Sequence, residues 1–142
     1  MTGNGSWGWG NGELQFYKEE NVEIAVIPGE PGNNALRITA KQESFGGKNY
    51  TSARLRTRNL GDWTYGRFEM RARLPVGQGM WPAFWMMPQD DVYGGWAASG
   101  EIDIMESTNS TTEISGTIHF GGSYPDNVFS GGSTSLGGAN FA

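Results

Sequence analysis

Apolar and polar residues alternate with period two in short runs bounded by Gly, Pro and Asn. No stretch of three turns carries apolar residues at helical spacing. This pattern predicts an all-β chain. In 35–40, Leu36 and Ile38 alternate with Arg37 and Thr39; in 52–57, Ala53 and Leu55 alternate with Arg54 and Arg56. In 65–74, Phe68, Met70, Ala72 and Leu74 share one face, while Arg67, Glu69, Arg71 and Arg73 share the other. The run 81–87 is apolar on both sides, so it is expected to be a strand covered on both faces. Pro82 belongs at its start, because proline has no amide hydrogen to give a ladder. Alternation returns in 114–120, with Ser115, Thr117 and His119 on one side. Two stacked antiparallel sheets accommodate these strands. The Gly/Ser-rich stretch 130–139 has no apolar period and reads as a loop.

The segment 100–107, Gly-Glu-Ile-Asp-Ile-Met-Glu-Ser, sets three carboxylates into an otherwise apolar strand. Glu101 and Asp103 must share a face, and strict alternation would send Glu106 to the other. One extra residue, a β-bulge around Ile104–Met105, returns Glu106 to the side of its neighbours. Like charges on one face of a strand repel, so the row calls for a use. Three readings fit the residues: a solvated acidic strand, a divalent-cation site built from oxygen ligands, and sugar hydrolysis. A retaining glycosidase needs two carboxyl groups about 5–5.5 Å apart, one ionised and one protonated. Mutual repulsion favours that split by raising one carboxyl's proton affinity. Trp81, Trp85 and Trp96 lie shortly upstream, and aromatic faces suit the C–H face of a sugar ring.

Composition narrows the field. The chain has 142 residues and a net charge of −5, with 10 Lys and Arg that form no stripe, which disfavours nucleic acid and anionic membrane as partners. With no Cys there are no disulfides, thiolate sites or cysteine nucleophile, and a single His leaves no imidazole zinc site. No apolar run approaches the roughly 18 residues of a membrane span, and the first residues lack the basic-then-apolar pattern of an export signal. Neither an internal repeat nor an interdomain linker divides residues 1–142, so one domain is expected.

Gly79-Met80-Trp81-Pro82-Ala83-Phe84-Trp85-Met86-Met87, followed by Ser99-Gly100-Glu101-Ile102-Asp103-Ile104-Met105-Glu106, resembles the catalytic block of glycoside hydrolase family 16, in its bacterial laminarinase (endo-β-1,3-glucanase) branch. The blocks Trp7-Gly8-Trp9-Gly10-Asn11-Gly12-Glu13-Leu14-Gln15, Tyr50-Thr51-Ser52-Ala53-Arg54-Leu55 and Tyr65-Gly66-Arg67-Phe68-Glu69-Met70-Arg71 match it in order and spacing. The resemblance implies a jelly-roll β-sandwich of two antiparallel sheets with a concave substrate cleft. It covers nearly the whole chain but only part of the family's domain, so the domain is expected to be incomplete at both ends.

The implied activity is endo-acting, retaining hydrolysis of internal β-1,3-glucosidic bonds in laminarin-type glucans. Glu101 resembles the nucleophile, Asp103 the central acid that holds it, and Glu106 the general acid/base. Asn11, Glu69, Arg71, Trp81, Trp85, Trp96 and His119 match substrate-contacting positions. The resemblance further implies an extracellular β-glucan-degrading protein, monomeric when complete. No cofactor is required, although the family's frequent structural calcium is possible through ligands near both ends of the whole domain. An agarase- or carrageenase-like galactan hydrolase shares the bulged acid motif and remains an alternative. So does a noncatalytic β-glucan-binding module, but such modules have lost the glutamates that are present here as Glu101 and Glu106.

Overall fold

Short alternating runs can form only short strands, and the computed structural model, which describes residues 1–5, 7–109 and 112–137, contains eight of three to eight residues. They fall in two compact units, Met1–Gly61 and Asp62–Ala142. No helix among the described residues is long and apolar enough to cross a membrane.

In the first unit, β1 (Gln15–Tyr17) pairs in parallel with β4 (Tyr50–Ser52), and β2 (Val22–Val26) forms an antiparallel hairpin with β3 (Asn34–Ile38). A buried polar knot stands beside these ladders. Asn21, 2 % exposed, donates from Nδ2 to the Thr39 carbonyl at 2.7 Å and to Thr51 Oγ1 at 2.9 Å. The Thr51 hydroxyl donates in turn to Glu43 Oε1 at 2.6 Å, and Lys18 Nζ lies 3.3 Å from the same oxygen. Those two partners, the hydroxyl first, hold the Glu43 carboxyl below the usual carboxylate range.

The second unit is built on one antiparallel sheet in the order β5 (Ala83–Met86), β6 (Glu101–Glu106), β7 (Glu113–Phe120) and β8 (Val128–Ser135). Each strand neighbours the next in sequence, the simplest way to lay down antiparallel strands. Met105 and Ala97 are the buried apolar residues among those described, while Ile102, Ile118 and Phe120 are exposed on the sheet face opposite Glu101, Asp103 and His119.

Four sequence expectations need correction. The run 65–74 forms no strand: alternation sorts side chains to two faces, but a strand also needs a ladder partner, and no described residue pairs with this segment. The run 52–57 is a strand only at Ser52, because β4 ends where its three-residue partner β1 ends. The run 81–87 is a strand over Ala83–Met86, with Pro82 just outside it as expected, but Phe84, Trp85 and Met86 are only half-buried rather than covered on both faces. The fourth correction is the largest. Residues 130–135, read as loop, belong to β8, which pairs with β7 along its whole length; Gly138 and Ala139 lie outside the described residues. Backbone hydrogen bonds to β7 hold this strand, and they leave no mark on hydrophobic periodicity.

Candidate active site

The bulge is where the spacing of the acids requires it. Across β6 and β7, Glu101 pairs with His119, Asp103 with Thr117 and Glu106 with Ser115, so Ile104 and Met105 together oppose the single Gly116. On the other side, β5 pairs Trp85 with Asp103, Phe84 with Met105 and Ala83 with Glu106, stepping over Ile104. Directly paired residues share a face. Glu101, Asp103 and Glu106 therefore lie on one face of β6, flanked by Trp85 on β5 and by Ser115, Thr117 and His119 on β7.

Each acid has a different hydrogen-bonding partner. The Trp81 indole N–H donates to Glu106 Oε1 at 2.8 Å, and the Trp96 indole N–H donates to Glu101 Oε2. Asp103, 6 % exposed, has Oδ2 3.2 Å from His119 Nε2. A carboxylate only accepts, so this contact supports the tautomer with hydrogen on Nε2, and Nδ1 is buried without a partner. The His119 ring is flanked by Trp96 at 5.4 Å and Phe129 at 5.9 Å between ring centres.

The two indoles are fixed by backbone bonds outside the strands. Past Glu106, the Ser107 amide donates to the Pro82 carbonyl at 3.2 Å and the Asn109 amide to the Met80 carbonyl at 2.9 Å, carrying the β5–β6 pairing out to Trp81. Asn109 Oδ1 accepts the Gly79 amide at 2.7 Å. Trp96 sits in a loop where the Ser99 hydroxyl donates to the Gly94 carbonyl at 2.7 Å. The Tyr124 amide donates to the Trp96 carbonyl at 2.9 Å, and Ala97 is fully buried.

Burial raises the proton affinity of two of the acids. Burial, reinforced by the charge of Glu101 and opposed by His119, pushes the Asp103 carboxyl above the usual carboxylate range. Burial also pushes Glu106 up; the Trp81 hydrogen bond pulls it back down, and the charge of Asp103 adds to the rise. A carboxyl whose proton affinity is raised can remain protonated where ordinary carboxylates are ionised, which suits it to protonate a leaving group.

Of the ten candidate site residues, the sheet and its loops bring seven together: Glu101, Asp103, Glu106, Trp81, Trp85, Trp96 and His119. Asn11 belongs to the first unit, where its Nδ2 donates to Glu13 Oε1 at 3.3 Å. Glu13 Oε2 also accepts from Gln15 Nε2 and from the Tyr17 hydroxyl, each at 2.6 Å. Glu69 is exposed and pairs with Arg67 at 2.8 Å, and Arg71 follows in the same exposed segment. Two aromatics escape sequence reasoning, Phe129 and Tyr124. Phe129 is masked by its Gly/Ser-rich surroundings and shows itself only once β8 is paired with β7. Among the described residues no three His, Cys, Asp or Glu side chains are arranged to hold a metal ion.

Comparison with known proteins places the chain in a family. Residues 11–132 match the model of the XgeA-like catalytic domain of glycoside hydrolase family 16. The chain belongs to glycoside hydrolase family 16. It is 45 % identical over 130 residues to glucan endo-1,3-beta-glucosidase A1 of Niallia circulans, covering 89 % of this chain and 19 % of that protein. It is 49 % identical over 118 residues to a beta-glucanase of Rhodothermus marinus, covering 81 % of this chain and 40 % of that protein. The solved laminarinase of Rhodothermus marinus superposes with a TM-score of 0.81 at 42 % identity, over 96 % of this chain and 53 % of the other. The chain thus spans about half of that structure and less than half of those two relatives, and its fold class is the family's all-β jelly roll.

Proposed function

We propose that this protein hydrolyses internal β-1,3-glucosidic bonds of laminarin-type glucans by double displacement with retained configuration. The observation that carries the reading is the bulge, which turns Glu106 to the same face as Glu101 while each keeps its own indole donor. Glu101 attacks the anomeric carbon; the carbon–oxygen bond to the leaving sugar breaks as Glu106 gives that oxygen its proton. In the second half Glu106, now a carboxylate, takes a proton from water as the water oxygen attacks the same carbon and releases Glu101. Two inversions give net retention.

Asp103 keeps Glu101 in position, and His119 holds Asp103. This assigns His119 to the support of the acid row rather than to the substrate, in keeping with its Asp103 contact and the rings on either side of it. Trp81 donates its indole N–H to Glu106 and offers its half-exposed ring to the leaving sugar, with Trp85 beside Asp103 as a second wall. Glu69 and Arg71, in the same unit as the acids, contact sugar hydroxyls. Two carboxyl groups and water suffice for the reaction, so no cofactor is needed. A polymer too large to enter a cell must be met outside it, which makes the protein extracellular.

Reducing-end release measured side by side on laminarin, lichenan, agarose and carrageenan tests the assignment. Laminarin should be cleaved fastest and the galactans not at all. Preferential cleavage of agarose or carrageenan would move the protein to the galactan hydrolases, and laminarin binding without release of reducing ends would make it a recognition module.

A further inference from the structure

Phe129 stands opposite His119 in the β7–β8 register and so shares the face of the acid row, yet it is 72 % exposed. The other β8 residues on that face, Gly131, Ser133 and Ser135, are small. Tyr124, in the turn between β7 and β8, is 75 % exposed, and its ring lies 6.4 Å from Trp96. With His119 between Trp96 and Phe129, four rings follow one another in the order Tyr124, Trp96, His119, Phe129, and the two at the ends are the most open to solvent. Phe129 on the face of the acid row, and Tyr124 joined to that row through Trp96, offer flat apolar ring faces of the kind that suit the C–H face of a sugar.

The arc is attached to one end of the acid row. Trp96 bonds to Glu101, and His119 is paired with Glu101 across the strands. In a displacement at the anomeric carbon, the nucleophile, that carbon and the leaving oxygen lie in line, so the retained sugar sits toward Glu101 and the leaving sugar toward Glu106 and Trp81. We propose that Phe129, with Tyr124, forms an aromatic platform for sugar rings of the glycone, the part of the glucan kept on the enzyme after bond cleavage. The proposal rests on the hydrolytic reading above and adds to it a determinant of chain-length preference on the nucleophile's side.

The test uses 4-nitrophenyl β-glycosides that share one leaving group and differ in glycone length from one to four β-1,3-linked glucose units, with laminaritetraose binding measured by calorimetry. Wild-type kcat/KM should climb with glycone length. Phe129→Ala should forfeit roughly three- to tenfold of that climb, the size of one aromatic contact, and bind laminaritetraose more weakly by a similar factor. Phe129→Trp, which keeps a ring face, should retain both. Equal loss at every glycone length, or unchanged length dependence and affinity in Phe129→Ala, would overturn the platform. If the wild-type protein cleaves none of the glycosides, the hydrolytic reading fails, while the calorimetric comparison still decides whether Phe129 carries sugar.

Discussion

Gly131 on β8 offers a sharp test of how the sheet holds its acids. A methyl group added there would lie 2.5 Å from the Gly116 carbonyl oxygen and 2.8 Å from Thr117 Oγ1, both on β7 and one of them backbone that cannot step aside. Gly116 faces the bulge, and Thr117 is paired with Asp103. Relieving the clash therefore means moving β8 away from β7, or β7 against the acid strand. Overpacking of this kind costs about 1–3 kcal/mol. At about 4 °C per kcal/mol for a domain of this size, Gly131→Ala should lower Tm by roughly 4–12 °C.

The neighbouring Gly132 supplies the control. An added methyl there meets no atom within 4 Å, and Ala costs less backbone entropy than Gly in a strand, so Gly132→Ala should leave Tm unchanged or slightly raised. Thermal unfolding followed by circular dichroism compares the two directly, and laminarin turnover should fall in Gly131→Ala alone. Identical melting of both variants and the wild-type protein would mean that β8 does not pair with β7 in this register.

Two further outcomes concern the acids themselves. Trp81→Phe removes a hydrogen bond that favours ionised Glu106, so the alkaline limb of the kcat/KM profile should move to higher pH, and kcat/KM at the optimum should drop roughly fivefold for one half-exposed bond; a limb that stays in place or moves down would refute the clamp. Asp103→Asn should lower kcat by about a hundredfold through misplacement of Glu101. The same change should raise Tm at neutral pH. Because burial raises the Asp103 pKa, the folded chain holds that proton more tightly than the unfolded one, and stability is lost as pH rises from the ordinary carboxylate value through the raised one. The Asn variant should lack that slope, and an unchanged slope of Tm against pH would contradict it.

What the sequence made legible was whatever periodicity can encode. The bulge could be deduced at Ile104–Met105 because three acids at spacings of two and three cannot share a strand face without an inserted residue. Pro82 marked a strand start for an equally local reason. The hidden part was pairing. Nothing in Ser130-Gly131-Gly132-Ser133 announces a strand, since β8 is held by backbone bonds and by the close approach that Gly131 permits. Conversely, the regular alternation of 65–74 sorts its side chains without providing a ladder partner. His119 was legible as a residue near the acids, but its bond to Asp103 depends on the register of β7 against β6, which no single strand's pattern contains.

In the proposed reaction Glu101 forms the covalent bond to sugar. Glu101→Ala supplied with azide and an activated β-1,3-glucoside tests it most directly, because Glu106 stays in place and the missing carboxylate leaves room for a small anion. Turnover should be lost without azide and recovered with it, yielding an α-glucosyl azide of inverted configuration by NMR. Wild-type hydrolysis in the variant, or azide rescue giving the β-anomer, would contradict the mechanism.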